Sequence, residues 1–459
     1  MANQEPQDGT QNNQPNGRPK PGAGDSLANA VTAKVGATSN DTNGGSSGSR
    51  ADAVAVVKDA VADDEVESVI IRGEAEAVKL DSIEKGLTNL WQAAAKPRNG
   101  ETEPPVMRAC VLNLVIFADS GSRLAPVTDV ITKLTWSYPC RAIVLVSEPE
   151  SSSNDMQASI STHCQQPSPN AKKVCCEQIT IRGLGRGSER LPSMVLPSLV
   201  PDLPVVLWWP GDPTMDGQTF ERLLEDTDRF ISDSSHFADP IRSLNQLAAL
   251  IEARPRLAIS DFNWARLTPW RGLIAQFFDE PQMLPYLSSV DSIEVEYVVA
   301  ADNEQPNLAM SLLLTSWLAD KLGWQPAFGL KWRGKTASLI LNQNGQPLSI
   351  TFKGHTEPHN DPGCITSVRL TTSLNEKEAI FAVSLAADTG LAYTMIEENN
   401  EPSTRQVMLP KRDDAELLTE ELRESNRDTT YEACLLMVRN ILNNADRKAG
   451  KTDAIANPA

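Results

Sequence analysis

Between about residues 107 and 285, apolar runs alternate with helical patterns, and this alternation restricts the fold more than any other feature of the chain. The runs "VLNLVIFA" and "LPVVLWW" are apolar at successive positions, as in strands that helices cover on both faces. Helical patterns such as "SRLAPVTDVITKL" stand between such runs. The alternation predicts an α/β domain over residues 66–285, built on a doubly wound, mostly parallel sheet.

After about residue 286 the pattern changes to short alternating strands. "ASLILNQNGQPLSITFKG" places Asn344 and Gly345 between two alternating runs, which is a strong signal for a β-hairpin. With the strand and helix patterns that follow, it predicts a smaller α+β domain with an antiparallel sheet over residues 286–445. We expect residues 1–65 to be a disordered, low-complexity tail and residues 446–459 to be a polar tail.

Charge and hydropathy exclude several classes of protein. The chain of 459 residues carries 42 basic and 60 acidic side chains, and its formal net charge is −18. A field of that sign opposes phosphate backbones, so we expect no nucleic-acid partner. There is no run of about 18 apolar residues, and the N-terminus lacks the apolar core of a signal peptide. The expectation is a cytoplasmic protein without a membrane partner.

Residues suited to catalysis or metal binding are few. The four histidines stand at positions 163, 236, 355 and 359, and none has a spacing typical of metal ligands. Asp233, Ser234 and His236 are close in sequence, and such neighbours seldom converge into a catalytic triad. The sequence therefore predicts no catalytic residue, no metal and no cofactor.

Two strand-end stretches leave an alternative open, which is an enzyme or sensor that binds a sugar phosphate. In "IRGLGRGSERLPS" the glycines would let backbone amides approach an anion, with Arg182 and Arg186 beside it, although the spacing of a dinucleotide loop is absent. In "SDSSHF" the hydroxyls and Asp233 could hold the sugar phosphate. A flexible turn and a helix cap are the favoured interpretations of these stretches.

Seven cysteines are scattered along the chain, which is typical of reduced, buried thiols rather than of a disulfide framework. Cys175 and Cys176 are adjacent, so on a strand their side chains point to opposite faces. Structural thiols are the favoured interpretation, because a thiol switch needs two sulfurs within bonding reach.

Tryptophan and arginine cluster in two stretches. "DLPVVLWWPGDP" places Trp208 and Trp209 at the end of a strand, where their side chains point to opposite faces. "SDFNWARLTPWRGLIAQFFDEP" follows, with Trp264 and Arg266 on an expected loop and Trp270 on a helix packed against the sheet. These residue types are enriched at the centres of protein interfaces, so packing and partner contact are both open for them.

Together with the "DSSHF" turn, these stretches resemble the glucose-6-phosphate dehydrogenase assembly protein family, OpcA. The resemblance runs from about Asp81 to Asn443 and includes "LTNLWQ". It implies a non-catalytic partner that binds glucose-6-phosphate dehydrogenase, supports its active oligomer, raises its activity allosterically and so feeds the oxidative pentose phosphate pathway and its NADPH supply. We expect "WWPGDP" and "DFNWARLTPWRG" to lie together at the strand ends as the partner-binding face, with the candidate residues Trp208, Trp209, Asp212, Trp264, Arg266, Trp270 and Arg271.

The resemblance also implies redox control, because family members in photosynthetic bacteria are associated with thioredoxin. Cys364 has no second cysteine close by in sequence, and Cys434 lies far along the chain in a helix. The sequence therefore does not favour a switch through a local pair in the C-terminal domain. Cys175, Cys176 or a long-range pair would have to supply the control, or the regulated thiols belong to the dehydrogenase. The candidate thiols are Cys175, Cys176, Cys364 and Cys434, with thioredoxin as the implied second partner.

Overall fold

The computed structural model describes residues 69–72, 74–94, 106–166, 173–300, 306–386, 389–424 and 426–453. All of them belong to one unit of the chain, Asp59–Ala459. The disordered tail expected over residues 1–65 lies outside the described residues.

The first sheet is mostly parallel, as predicted. Within the described residues it has ten strands: β1 Val69–Arg72, β2 Glu76–Val78, β3 Val106–Arg108, β4 Leu112–Ala118, β5 Cys140–Glu148, β6 Met156–Gln166, β7 Lys173–Leu184, β8 Val205–Trp209, β9 Arg229–Ser232 and β10 Ala258–Asp261. Their main order is β1-β6-β7-β5-β4-β8-β9-β10, with β2 beside β6 and β3 beside β7. From β7 to β10 every pair is parallel. This is the strand order of doubly wound folds, which reverses between β4 and β8.

Helices cover both faces of this sheet: α1 Ile83–Ala94, α2 Leu124–Leu134, α3 Gln218–Leu223, α4 Pro240–Ala253 and α5 Phe262–Gln276. All seven residues of β4 are buried. Leu114 and Ile116 belong to the hydrophobic cluster on one face, while Val115 and Phe117 belong to the cluster on the other. Burial on both faces explains why the strand is apolar at successive positions.

Short 3-10 helices replace one predicted helix. The stretch "ERLPSMVLPSLV" forms part of Gly185–Met194 and then Leu196–Ser198, and Pro192 lies inside the first of them. Proline has no N–H for an α-helical hydrogen bond, so the tighter form is adopted instead. Other 3-10 helices are Leu80–Ser82, Gly121–Arg123, Ser234–His236 and Leu284–Ser289.

Strand β6 was not predicted, and it changes the interpretation of Cys175. In the antiparallel β6–β7 pair Cys164 lies directly opposite Cys175, and the two form a disulfide. The expectation that Cys175 is a reduced thiol was therefore wrong. Cys176 is 1% exposed on the other face, beside the hydroxyl of Thr135 at 2.8 Å.

The second sheet has eight strands within the described residues: β11 Val290–Val298, β12 Gln325–Arg333, β13 Thr336–Gln343, β14 Gln346–His355, β15 Ile365–Leu374, β16 Lys377–Ala386, β17 Leu391–Glu398 and β18 Glu401–Met408. The order is β12-β13-β14-β11-β15-β16-β17-β18, and every pair except β11–β14 is antiparallel. Asn344 and Gly345 have φ of 52° and 88°, so the predicted hairpin turn is confirmed.

A layer of helices lies between the two sheets and joins their cores. It includes α4, α5 and α6 Ala309–Leu322, and α7 Asp414–Arg423 and α8 Thr429–Asp453 complete the described helices. α6 packs against α4, α5 and α8, while Phe381 of the second sheet packs against Phe277 and Phe278. α8 continues into the stretch expected to be a polar tail. The domain boundary near residue 285 stays a prediction.

A buried charge network attaches α1 to the first sheet. Glu177 of β7 is 2% exposed and accepts hydrogen bonds from Trp91 Nε1 at 2.8 Å, Arg108 Nη2 at 3.0 Å and Arg141 Nε at 2.6 Å. Arg141 also contacts Glu84 of α1 at 2.6 Å. Burial by itself would raise the pKa of Glu177, but its hydrogen bonds and the neighbouring arginines outweigh burial and lower that pKa.

We predict that Glu177→Ala lowers the free energy of unfolding by about 3 to 5 kcal/mol, because it leaves the Arg141 charge buried without this carboxylate. Urea unfolding followed by circular dichroism measures the change. The control is Asp216→Ala, which removes an exposed pair with Arg242 at 2.7 Å and should cost less than about 1 kcal/mol. Equal losses in the two variants would contradict the prediction.

Candidate functional site at the carboxyl edge of the first sheet

The two tryptophan motifs meet at one edge of the first sheet. β8, β9 and β10 are parallel neighbours, so the segments that follow them emerge at the same edge. The ring of Phe262, the first residue of α5, lies 5.9 Å from the ring of Trp208. Asp212 after β8 accepts a hydrogen bond from the Ala238 amide at 2.9 Å. The structure thus places "WWPGDP", "DSSHF" and "DFNWARLTPWRG" side by side.

Both adjacent tryptophans belong to the core. Trp208 is 1% exposed on one face of the sheet, and Trp209 is 4% exposed on the other, 4.1 Å from the ring of Phe117 and 5.7 Å from that of Phe220. The opposite orientation follows from strand alternation, as the sequence predicted. Neither indole offers a surface to another protein in this structure.

Trp264 and Arg266 lie on α5, so their assignment to a loop was wrong. The short strand β10 runs directly into α5, and Asp261 caps the helix by accepting a hydrogen bond from the Asn263 amide at 3.0 Å. Because β10 has only four residues, its pattern was not recognised and the start of the helix was missed.

Pro269 stands inside α5 and removes one helical hydrogen bond. The carbonyl oxygen of Ala265, four residues earlier, accepts a hydrogen bond from Arg412 Nη2 instead. Arg412 precedes α7, so the proline leaves an acceptor that ties the C-terminal part of the chain to α5.

Trp264 makes a second tie to the C-terminal helices. Its Nε1 donates to Asp428 Oδ2 at 2.6 Å, in the connection between α7 and α8. The guanidinium of Arg271 lies 3.4 Å from the centroid of the Trp264 ring and donates to the Trp264 carbonyl oxygen at 3.2 Å. Burial lowers the pKa of Arg271 to about 10. Trp270, further along α5, is 3% exposed. These motif side chains therefore hold the fold together.

Asp233 is the centre of a charge cluster that follows β9. Its carboxylate, 2% exposed, accepts hydrogen bonds from Arg266 Nη1 at 2.7 Å and Nη2 at 2.9 Å, and lies 3.3 Å from His236 Nδ1. Burial by itself would raise the pKa of Asp233, but His236 and Arg266 hold it well below its usual range. The hydrogen bond to Asp233 raises the pKa of His236. Ser235 also donates to Asp233, at 2.6 Å, and its hydroxyl lies 3.4 Å from His236 Nδ1, the same ring nitrogen that faces Asp233. A catalytic triad uses the two opposite ring nitrogens of histidine, so this arrangement does not match one.

Asp261 is a second buried carboxyl at this edge. It is 0% exposed, accepts hydrogen bonds from the amides of Ser234 and Asn263, and lies 3.3 Å from the Tyr431 hydroxyl. Burial, assisted by the charge of Asp233, raises the pKa of Asp261 to about 6. Burial likewise raises the pKa of Glu421, on α7, to about 7.

A cleft of about 1,050 Å³ opens beside the Asp233 cluster. His236, Arg266 and Trp270 line it from the first sheet's side, and Cys364 and the loops of the second sheet line it from the other. Its exposed lysines are paired with acids, Lys133 with Asp413 and Lys411 with Asp361, both at 2.6 Å. The lining is therefore mixed in charge rather than selective for an anion.

Two further places bear on the sugar-phosphate alternative. At the strand-order reversal, Arg123 pairs with Asp119 of the same loop at 2.6 Å and donates to the Pro210 carbonyl oxygen at 3.1 Å, so the hydrogen bond to Pro210 joins the loops after β4 and β8. In the "GLGRGS" segment, the Arg186 amide donates to Asn154 Oδ1 at 3.0 Å. A Cβ at Gly185 would lie 2.4 Å from the Ser153 carbonyl oxygen. The glycine there serves close packing within the chain. Arg182 pairs with Glu148 at 2.7 Å.

The remaining candidate thiols are free and separate from each other. Cys364 is partly exposed at the cleft, and Cys434 is 0% exposed and donates to the Leu313 carbonyl oxygen at 3.1 Å. Burial raises the pKa of both thiols, which lowers their reactivity.

Sequence reasoning missed the residues that connect distant segments at this site. Asn307 Nδ2 donates to the carbonyl oxygens of Ser234 at 2.9 Å and Ser235 at 3.0 Å, and thereby holds the "DSSHF" turn from the start of α6. Asp428 and Arg412 act in the same way on α5. Asp261 could have been found from the sequence, because it stands where a helix cap is expected after a strand. Asn307, Arg412 and Asp428 lie far from the segments that they contact, so the sequence carries no signal for their roles.

We predict that the free energy of unfolding falls as pH rises from about 4 to 7. Asp261 and Glu421 have raised pKa values in the fold, about 6 and about 7, so the folded chain binds more protons than the unfolded chain in this window. Asp261→Asn keeps an oxygen for the amides and removes the buried charge. At pH 8 its free energy of unfolding should be higher than that of the wild type by about 2 to 3 kcal/mol. The difference should fall to about half of that near pH 5 and be small at pH 4 and below.

Urea unfolding at several pH values measures this difference. Glu421→Gln should flatten the pH dependence in the same direction, and the exposed Asp216→Asn should leave it unchanged. A pH profile of Asp261→Asn parallel to that of the wild type would contradict the assignment of the titration to this edge.

The fold and the site together define a two-sheet α/β protein in which the strand-end motifs bind the C-terminal helices to the first sheet. Two protein-family models match this chain, and they describe the N-terminal and the C-terminal domain of a "Glucose-6-phosphate dehydrogenase subunit". The model of the N-terminal domain matches residues 132–249, and the model of the C-terminal domain matches residues 257–435. These matches cover more than half of the chain. The protein belongs to the OpcA family of glucose-6-phosphate dehydrogenase assembly proteins.

Curated relatives named OxPP cycle protein OpcA are similar to this chain. The protein of Synechocystis sp. is 37% identical over 191 residues, which are 41% of this chain and 38% of that protein. The protein of Nostoc punctiforme is 30% identical over 66% of this chain and 65% of its own length. The match thus spans less than two thirds of either relative.

Solved structures are only distantly similar to this chain. A 3-ketoreductase from Actinomadura kijaniata has a TM-score of 0.43 and 10% identity, covering 73% of this chain and 97% of that one. An oxidoreductase from Bacillus subtilis has a TM-score of 0.43 and 11% identity, covering 73% and 98%. Likeness at this level carries no activity over to this chain. Among the described residues, no helix combines the length and hydrophobicity that a membrane span requires.

Proposed function

We propose that this protein is a non-catalytic assembly factor and allosteric activator of glucose-6-phosphate dehydrogenase. In this proposal it acts in the cytoplasm, favours the active oligomer of the dehydrogenase, and increases flux into the oxidative pentose phosphate pathway and its NADPH supply. The observation that carries the proposal is the pair of family matches, which covers part of the first sheet and the whole of the second.

The geometry of the strand-end edge supports a role without chemistry. Ser235 and His236 both contact the Asp233 carboxylate, and a hydrogen bond from Arg123 to the Pro210 carbonyl oxygen spans the crevice between β4 and β8. An activator needs a surface that binds the active state of its target more tightly than the inactive state, not a nucleophile. A tenfold preference corresponds to about 1.4 kcal/mol, which a few interface contacts can provide.

For the candidate partner-binding residues we propose two roles. Trp208, Trp209, Trp264 and Trp270 are buried, so they act by keeping the edge in shape. Asp212, Arg266 and Arg271 remain partly exposed, and these three are the ones a partner can reach at this edge.

We predict that the protein lowers the half-saturating glucose 6-phosphate concentration of the dehydrogenase from the same organism or raises its maximum rate. The measurement is the initial rate across substrate concentrations with and without the protein, with sedimentation of the dehydrogenase alone and in the mixture. The dehydrogenase should shift toward its larger active oligomer when both are present.

The sugar-phosphate alternative is tested on the isolated protein. Thermal stabilisation by glucose 6-phosphate that grows with concentration and is lost in Arg182→Ala or Arg186→Ala would support that alternative. Unchanged kinetics and oligomeric state of the dehydrogenase, under reducing and oxidising conditions alike, would refute the activator proposal.

We further propose that redox state modulates this activity through the Cys164–Cys175 disulfide, with thioredoxin as the reductant. Cys164 is partly exposed, whereas Cys175 is 0% exposed. A thiolate of the reductant attacks the Cys164 sulfur and releases Cys175, and the second thiol of the reductant then closes its own disulfide and frees Cys164. The disulfide gains two electrons and two protons, and the dithiol of the reductant supplies them.

We predict that reduction changes the activation by the wild-type protein at least twofold, while a Cys164→Ser/Cys175→Ser double variant responds equally before and after reduction. The dehydrogenase is kept in one redox state and separated from the reductant, so that only the assembly factor differs. Cys364→Ser, a free thiol at the cleft, is the control and should respond like the wild type. A double variant that still responds would place the redox effect elsewhere.

A further inference from the structure

One face of the second sheet carries no helix within the described part of the chain. The other face, which we call the inner face, bears Val295, Phe352, Leu370 and Phe381, all 0% exposed. α5 reaches that face through Phe277 and Phe278, and Tyr286 also packs on Phe381. The opposite face, which we call the outer face, presents the alternate residues of each strand, and most of them are partly or fully exposed.

Small polar residues are common on the outer face. Strand register aligns its residues in rows that cross seven strands from β13 to β18. One row contains Thr351, Glu294, Arg369 and Ala382, and the adjacent row contains Thr371 beside Ile380. Serine and threonine are the commonest residues in these rows, and larger side chains such as Arg369, Tyr393 and Met395 stand among them.

On the outer face, acidic side chains have basic neighbours on the adjacent strands. Glu294 lies 2.5 Å from Lys353 and is directly opposite Arg369 in the strand register. A face whose acids and bases already have neighbours of opposite sign loses less hydration energy when a partner covers it than a face with isolated charges. The outer face is therefore suited to burial against a protein despite its polar composition.

Its size matches that of a protein interface. Eight strands spaced by about 4.8 Å and eight to ten residues long give a surface of roughly 30 Å by 30 Å. That is about 900 Å², against about 800 Å² per partner in a specific complex of standard size. The net charge of −18 on each chain opposes pairing with a second copy, and favours a partner with a different charge.

We propose that the outer face of the second sheet is the main surface on which this protein binds glucose-6-phosphate dehydrogenase. The inference rests on the proposed function, which names the partner, and it adds the location of the contact. It predicts that a folded surface of the dehydrogenase lies against strands β11 and β15 to β17, away from the strand-end edge of the first sheet.

The test places one arginine at the centre of the outer face. Thr371 and Ser384 are partly exposed side chains on neighbouring strands, so Thr371→Arg and Ser384→Arg add bulk and charge outward while the inner face keeps its packing. The control is Ser152→Arg, in the exposed loop between β5 and β6. Circular dichroism and the thermal midpoint show that each full-length variant is folded.

The Kd for the dehydrogenase, measured by sedimentation or biolayer interferometry, should rise at least tenfold in each outer-face variant and less than twofold in Ser152→Arg. If the wild type binds the dehydrogenase and both folded outer-face variants bind it with the same affinity, the proposed location is wrong and the proposed function stands. An absence of wild-type binding would overturn both. A wild-type dimer of this chain that Thr371→Arg dissociates would assign the face to a second copy instead.

Discussion

The fully buried carboxyl of Asp261 is the contact on which the arrangement of this molecule depends. It ends β10, caps α5, receives the Ser234 amide from the turn after β9 and lies beside the Tyr431 hydroxyl of α8. Three segments far apart in sequence therefore share one acceptor. The cost of burying it appears in its raised pKa, about 6, and the hydrogen bonds that it accepts offset that cost.

The doubly wound sheet could be predicted because a strand that is buried on both faces has apolar residues at successive positions in the sequence. Every residue of β4 is buried, so the strand is apolar throughout. β6 has no such apolar run, because Ser161 and His163 are buried polar residues, and His163 is hydrogen-bonded to Gln178 at 3.0 Å. Without β6 the register that joins Cys164 to Cys175 could not be inferred either.

At the candidate site, the sequence identified the relevant residues by their types, but it did not show which of them are buried. The sequence identified the motif around Trp264 and placed it near Trp208, and the structure brings the two motifs together. It could not distinguish a tryptophan that binds a partner from one that binds the chain's own helix, because both uses need a large ring with one polar atom. The acceptor of the Trp264 indole, Asp428, lies 164 residues away, and no local pattern encodes a contact at that separation.

The internal use of these motifs changes where a binding surface should be sought. A side chain that is 1% to 4% exposed cannot supply binding energy without unfolding its surroundings, so the motifs act through the shape they maintain. A sheet is well suited to recognising one arrangement of a partner, because its backbone hydrogen bonds fix the spacing of every side chain on its surface. Because a rigid surface adapts poorly to other arrangements of the partner, it binds one state of the partner more tightly than another. An activator requires such a difference in affinity. If the outer face carries the partner, the same helix layer that buries Trp264 and Phe381 supports that face from behind. The motifs and the binding surface would then be coupled by packing rather than by contact.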